Sequence, residues 1–358
     1  MLRSYNKIFI FKFYKIWFVL MKNLFKLIFL FSLFDASSQV AGESAYQFLN
    51  ITTSPRQLAL GGKEITLFDY DVNQPSVNPA SINIRMDNNF SINFSNYFSD
   101  ISYGTAAYAY TFDNRNNTIH FGISYIDYGS FSGYDELGNQ TNDFTGKESA
   151  FSVGYSTKIQ YLPIYIGSNI RLITSSLEQY NSIGISADLG FLYINSDVDL
   201  NIGLVIRNLG TQLKAYNEMY EKLPLEINVG VSQLLENAPL KWYLTFENLQ
   251  KWNIGLSNPS RLTTDLDGVV TEEKVTFFNN VFRHLIIGAE LFPESIFNIR
   301  LGYNFRRGEE LKIIDQSNFS GVSFGFGIKF NKLRINYTHA KFSSAANTSF
   351  IGLQLNLN

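Results

Sequence analysis

From Asn89 onward the chain breaks into short segments in which apolar residues alternate with Gly, Ser, Asn or charge. This is the period-two signature of a strand whose two faces meet different media. Ile183, Ile185, Ala187, Leu189 and Phe191 alternate with Ser182, Gly184, Ser186, Asp188 and Gly190, and Val322, Phe324, Phe326 and Ile328 alternate with Ser323, Gly325, Gly327 and Lys329. Helical periodicity is absent over the same stretch. The pattern predicts strands at 89–96, 102–112, 117–128, 148–158, 163–175, 181–194, 197–208, 225–234, 240–248, 283–292, 296–305, 319–330, 333–341 and 348–357. Strands of roughly 9–11 residues or a little more cross a hydrocarbon layer at a tilt. The segment at Asn89 is the weakest, so about fourteen strands are expected, with twelve or sixteen as the neighbouring even counts.

Loop lengths give an independent reading. The long connections, 129–147, 209–224, 249–282 and 306–318, all follow odd-numbered strands, whereas every connection after an even-numbered strand is short. Bacterial outer-membrane barrels have short periplasmic turns and long extracellular loops, a rule that a soluble sandwich has no reason to obey. The expected fold class is therefore all-β, a transmembrane antiparallel β-barrel of residues 89–358 with both termini in the periplasm. The chain ends in Asn358, not in the aromatic residue common at the end of such barrels.

Composition agrees with two unlike faces. Hydrophobic residues make up 45% of the 358 residues, yet mean hydropathy is only -0.05, so the apolar positions are interspersed and not massed into helical spans. Aromatics reach 16% and charges only 17%, as expected where strands face lipid between two aromatic girdles; a codon bias toward Phe, Ile, Asn, Lys and Tyr contributes a share. The formal charge of -2 and the lack of a basic run beyond the leader exclude a phosphate-tracking nucleic-acid surface. No cysteine is present, which removes disulfides, thiolate metal sites, a Cys nucleophile and a lipoprotein anchor.

The first residues are apolar and basic, with Lys7, Lys12, Lys15, Lys22 and Lys26 interrupting any spanning run. Read from Met21, they give a basic stretch to Lys26, an apolar core 27–34 and small residues Ala36, Ser37 and Ser38, the layout of a secretory signal peptide over 1–38. Residues before Met21 are an upstream mis-start or an extended basic region.

With apolar faces outward, the lumen receives Arg171, Arg207, Lys241, Arg300, Lys329 and Arg334 together with Asp188, Asp199, Glu226, Glu247 and Glu290. An ion-selective pore biases one sign of charge; this mixed set predicts paired charges packed against a plug. Gly122, Gly154, Gly167, Gly184, Gly203 and Gly288 share the inward face and leave room for one, or let the strands curve. The plug candidate is the segment 39–88, rich in Pro, Gly and Asn and carrying Asn78-Pro79-Ala80.

That motif ahead of fourteen strands resembles the hatch of fatty-acid-transporter-like barrels. Phe48-Leu49-Asn50 with Ser54 and Arg56, Ala59-Leu60-Gly61-Gly62, Arg283-His284 with Gly288 and Glu290, Leu301-Gly302-Tyr303-Asn304-Phe305-Arg306-Arg307 and Ser323-Phe324-Gly325-Phe326-Gly327 together are similar, in order and spacing, to the PorQ family. The resemblance implies an outer-membrane component of the type IX secretion system of Bacteroidetes. Its partners would be those of the surface attachment complex, namely a PorZ-like surface protein and the PorU sortase with the PorV barrel.

Other chemistry is thin. His120, His284 and His339 fall on separate strands with no adjoining Ser and carboxylate pattern; His339, which parity places outward near the mouth of its strand, is the nearest to a phospholipase-like site and lacks a partner motif. Asp69, Asp71 and Asn73, and Asp265, Asp267 and Gly268, have fragments of calcium-loop spacing without the closing Glu, and turn chemistry explains both. No metal, cofactor or catalytic set is expected. Trp252, Phe277 and Phe278 give the loop 249–282 aromatic anchors of the kind that dominate interface energy, making it the candidate partner-binding loop together with Asp265 and Asp267. Arg306 and Arg307 form a basic pair at the membrane edge, open to lipopolysaccharide phosphate or an acidic partner.

Overall fold

The structure, a computed structural model, describes residues 44–98, 100–112, 117–135, 137–255, 263–264, 270–271, 275–311, 320–341 and 347–358. The expected signal peptide, Asp265 and Asp267 lie outside the described residues. The described chain falls within one compact unit, Val40–Asn358.

Fourteen strands make the wall: β1 (Asn89–Phe98), β2 (Ile101–Phe112), β3 (Asn117–Phe131), β4 (Phe144–Lys158), β5 (Ile164–Leu177), β6 (Tyr180–Asn195), β7 (Leu200–Lys214), β8 (Glu226–Leu234), β9 (Leu240–Phe246), β10 (Leu285–Leu291), β11 (Phe297–Asn304), β12 (Val322–Phe330), β13 (Leu333–Lys341) and β14 (Asn347–Asn356). Each pairs antiparallel with its neighbour in sequence, and β14 returns to β1 in the register Asn89↔Asn356 to Asn96↔Ser349, so the sheet closes into a barrel. Closure leaves no strand edge unpaired, which a lipid environment demands because no water is there to satisfy backbone groups. A separate two-residue ladder pairs 263–264 with 270–271.

Exposure alternates with the predicted parity. Ile170 and Leu172 are 59% and 50% exposed while Arg171 between them is 5% exposed, so the apolar face is the outer wall and the polar face is the lumen. A bulge at β6–β7, where the register shifts between Ala187 and Leu189, turns both Arg207 and Asn208 inward.

The sequence expectation needs four corrections. First, β3, β4 and β7 run further toward the long-loop rim than the hydrophobic alternation does, so the loops shrink to 132–143 and 215–225. Cross-strand pairing continues past the apolar band, as in Ser130↔Thr145, and needs no apolar residue to do so. Second, β7 begins at Leu200, which leaves Asp199 in an exposed turn with φ 48 instead of in the lumen. Third, residues assigned to strand ends at 283–284 and 305 belong to helical segments: α2 (Phe277–Arg283) is capped by Thr276, and α3 (Phe305–Glu310) by Asn304, whose side chain accepts from Arg307 N at 2.9 Å. Fourth, Lys329 keeps its inward parity but is exposed at the rim.

Candidate functional site

Inside the wall lies the segment 44–88, almost entirely buried. It is held in short turns: α1 (Pro55–Ala59), with Pro55 in the first turn and Ser54 Oγ accepting from Gln57 N, then single 3-10 turns at Gln74–Ser76, Pro79–Ser81 and Ile84–Met86. Gly61 and Gly62, at φ +102 and +119, reverse the chain after α1 in a conformation that other residues resist. A plug of turns, not of helices, fits a bore whose wall residues vary in size from glycine to arginine.

Asn78-Pro79-Ala80 is one such turn. Asn78 Oδ1 accepts from Ala80 N at 3.0 Å and Asn78 Nδ2 donates to Ile65 O at 2.8 Å, so one side chain both caps the turn and ties two stretches of the plug together. The turn packs on bare backbone: a Cβ on Gly167 would stand 2.5 Å from Ala80 N, and one on Gly190 would stand 2.8 Å from the same atom. Gly302 and Gly288 receive the Leu60-Gly61 corner, Gly184 the Tyr46 ring, and Gly203 Ile65. The expected role of the inward glycines as space for a plug is met at each of these.

Charges fasten the plug on three sides. Arg56 of α1 reaches Glu290 on β10 at 2.9 Å and the plug's own Asp69 at 2.8 Å; Glu290 also accepts from Arg300 Nε at 2.7 Å and from Tyr243 OH at 2.9 Å. Lys63 bonds Glu226 and lies 3.1 Å from Glu247, and Arg207 bridges Glu226 at 3.0 Å and Leu49 O at 3.1 Å. Arg171 pairs with Asp188 and donates to Ser76 O at 3.0 Å. The mixed-sign lumen is thus a set of wall pairs, two of which a plug cation joins, Arg56 at Glu290 and Lys63 at Glu226 and Glu247; Arg56 lies in a plug segment to which the charge count of the strands alone gave no weight.

Asp69, Asp71 and Asn73 do turn work. Asp69 Oδ1 accepts from Asp71 N at 2.9 Å, Asp71 Oδ1 from Asn73 N at 3.1 Å, and both carboxylates face Arg56.

At the long-loop rim a vestibule of about 430 Å³ opens above the plug, between Gln47, Gly62, Lys63, Glu247, Arg306 and Glu310 among others. Arg306 and Arg307 are half-buried here: Arg306 Nε lies 3.7 Å from Glu247 and 3.9 Å from Glu310, and Arg307 donates to Ser320 O at 2.9 Å and Gly321 O at 3.0 Å. The Glu247 carboxylate raises the Arg306 guanidinium above its ordinary value, while burial pushes the Glu310 carboxyl up against the pull of Arg306. The arrangement makes this pair part of the vestibule wall.

Beside the vestibule the loop 247–284 presents aromatic residues. Trp252 stacks on His284 at 5.4 Å and touches Phe277 at 5.3 Å; Phe277 meets Phe278 edge-on, and Phe278 is 72% exposed. Here α2 is anchored by Arg283 and Asn280 below and shows Phe277, Phe278 and Phe282 outward.

The three histidines stay apart. His120 is buried with Nε2 3.0 Å from Val72 O, and His284 lies between the carbonyls of Glu247 and Trp252. His339 has a neighbour that sequence reading missed, Ser349 directly across the ladder, with Oγ 3.5 Å from Nδ1 and 3.1 Å from Tyr337 OH. Period-two parity puts both outward on adjacent strands, a signal visible only once β13 and β14 are paired. The contact is at the limit of a hydrogen bond, and the backbone N–H groups of the described residues beside it are engaged in the ladder.

No protein-family model matches the chain, and no curated protein does. Among solved structures it is similar to the Ralstonia pickettii toluene transporter TbuX, at 13% identity and a TM-score of 0.50 over 86% of this chain and 100% of that one. It is also similar to the KdgM porin, at 8% identity and a TM-score of 0.30 over 75% of this chain and 99% of that one. A third, BamA from Haemophilus ducreyi lacking POTRA domains 1-3, matches at 9% identity and 0.31 over 75% and 70%. At these identities likeness speaks for fold alone, and of the three only the TbuX match carries weight. The chain is a closed fourteen-stranded antiparallel β-barrel with an occupied bore, a fold it shares with the TbuX barrel.

Proposed function

We propose that this barrel is a non-catalytic scaffold that holds surface partners of a secretion system at the outer membrane, in the manner of the PorQ family. The observation that carries the reading is the plug. A segment joined to the wall by two buried ion-pair groups and by the Arg171 hydrogen bond to Ser76 O, with wall glycines shaped to its backbone, suits a sealed support better than a conduit. The aromatic loop beside the vestibule then provides the docking face, since large, rigid, exposed rings concentrate binding energy when a partner covers them. The partners are a PorZ-like surface protein and the PorU sortase with PorV; lipopolysaccharide surrounds the rim.

The test is crosslinked capture from native outer membranes, with partners identified by mass spectrometry. Recovery of a PorZ-like protein or the sortase complex is the expected result. The double variant Phe277→Ser/Phe278→Ser, at rings 63% and 72% exposed, is expected to weaken capture by at least about 30-fold, as for two interface anchors costing about 2 kcal/mol or more together. Undiminished capture by that variant would remove the loop from the docking face.

A second reading is passage of hydrophobic small molecules, favoured by the likeness in fold to a protein described as a toluene transporter. Under it, liposomes carrying the barrel take up a monoaromatic hydrocarbon, and the Phe277→Ser/Phe278→Ser variant does so equally well. A barrel that comes out of the membrane without protein partners but with such uptake would replace the scaffold reading.

A further inference from the structure

We propose that the short-turn rim carries a binding site for a phosphate group, formed by Arg85, Lys329, Lys332 and Arg334. These four basic side chains line one cleft of about 270 Å³ at the end of the barrel opposite the vestibule, and no carboxylate lines it with them. The nearest plug carboxylate, Asp69, is taken by Arg56 at 2.8 Å. Among the described residues none of the four is in an ion pair.

The charges are placed against their own repulsion. Lys329 and Arg334 stand directly opposite each other in the β12–β13 ladder, on the inward face, an arrangement that destabilises a sheet unless something neutralises it. The two-residue turn Asn331–Lys332, with Asn331 at φ 51, brings the third charge to the same corner. Deep in the wall Arg171, Arg207 and Arg300 pair with Asp188, Glu226 and Glu290, and Glu148 is held by Tyr128 and Tyr216; among the described residues this cluster at the rim has no such partner.

The cluster is also held in place. The Arg334 guanidinium lies 3.3 Å from the centre of the Tyr70 ring, and the Tyr70 carbonyl accepts from Gln354 Nε2 at 2.8 Å and Asn89 Nδ2 at 3.2 Å. Asn89 Nδ2 also reaches Arg85 O at 3.0 Å, so the plug backbone that carries Arg85 is pinned to the same frame. A planar guanidinium fixed by stacking, with two lysines free to close over it, matches a tetrahedral oxyanion with several acceptor oxygens. The volume suits a phosphate with a small substituent.

Two sources supply such a group. The rim with short turns faces the periplasm in bacterial barrels, and exposed apolar residues adjoin the cleft in the wall: Phe330, 57% exposed, lies between Lys329 and Asn331, and Leu355 and Leu357 flank Asn356. A glycerophospholipid of the inner leaflet, with its acyl chains along those residues and its phosphate in the cleft, meets both features. A free phosphate compound of the periplasm meets the charge alone.

The test uses the purified full-length barrel and the variant Lys329→Gln/Lys332→Gln, whose side chains are exposed at the rim and outside the plug contacts. Native mass spectrometry after exchange into mixed phosphatidylglycerol and phosphatidylcholine is expected to show phosphatidylglycerol retained by the parent and reduced about tenfold or more in the variant, two surface charges each contributing about a factor of five. Retention of this kind assigns the lipid headgroup. Titration with inorganic phosphate in neutral detergent, followed by phosphorus NMR, covers the other source: saturable binding lost in the variant, without lipid selectivity, assigns a free phosphate. Absence of both, or equal binding by parent and variant, overturns the site.

Discussion

Glu290→Ala is expected to destabilise the folded barrel by about 3–5 kcal/mol, the cost of leaving buried cations without their carboxylate. Glu290 is fully buried and takes Arg56 Nη2, Arg300 Nε and Tyr243 OH at 2.9, 2.7 and 2.9 Å. Removing it strands Arg300 in the lumen and takes from Arg56 the wall carboxylate it touches, while Asp69 still holds the plug end of that guanidinium. Urea titration of the barrel in lipid vesicles measures the loss. Arg56→Met is expected to cost less, because Glu290 keeps Arg300 and the tyrosine. The double variant should then be more stable than the sum of the two, with a coupling of about 1–3 kcal/mol. Additive effects would show that the plug is not fastened through this pair.

Gly167→Leu tests the plug from the other side. Its Cβ would stand 2.5 Å from Ala80 N and closer still to the Pro79 carbonyl, all of it backbone that cannot swing away. The Asn78-Pro79-Ala80 turn must then leave its seat, at about 3 kcal/mol, the upper end for overpacking. The expected result in planar bilayers is an ion conductance larger than that of the parent barrel. Gly104→Ala is the control: its nearest neighbour is Asn93 O at 3.5 Å, an ordinary contact, and no increase in conductance is expected. Gly190→Ala supplies a milder version, meeting Ala80 N at 2.8 Å. If both variants conduct no more than the parent and are as stable, the plug does not depend on bare backbone at this seat.

The two experiments separate the kinds of force that hold the plug. Ion pairs such as Arg56–Glu290 are directional and fix its orientation, but gain little net energy over desolvation. Close packing on glycine excludes water from those same pairs, which strengthens them. A channel reading requires that one of these yield on demand; a scaffold reading requires neither to yield.

The strand pattern was legible because it is local. Period-two alternation places Ile183, Ile185 and Leu189 on one face and Ser182, Gly184 and Asp188 on the other whatever their partners turn out to be, and β6 is observed at Tyr180–Asn195 as the alternation required. An even number of such strands, with short and long connections by turn, leaves a closed antiparallel barrel as the arrangement that satisfies every backbone group in lipid. The segment 39–88 reads as a stretch of Pro, Gly and Asn that could not be wall, and its described residues, 44–88, form no strand of the barrel. Where local signals run out the pattern misplaces strand ends: Arg283 and Phe305 read as strand, yet caps from Thr276 and Asn304 turn their segments into helices.

What the tertiary structure alone decided are the pairings across long stretches of chain. Arg56 and Glu290 are separated by 234 positions, and nothing local to either names the other. Gly167 and Gly190 read equally as curvature or as space until the Pro79–Ala80 backbone is set against them. Lys329 and Arg334 look like ordinary lumen charges in sequence; only their opposition across the ladder, with Arg85 and Lys332 brought to the same cleft, makes a site of them. The sequence by itself determined the wall, because a strand's two faces are chosen by its own residues. The structure decided what fills and rims it, because those contacts join residues whose proximity exists only after the barrel closes.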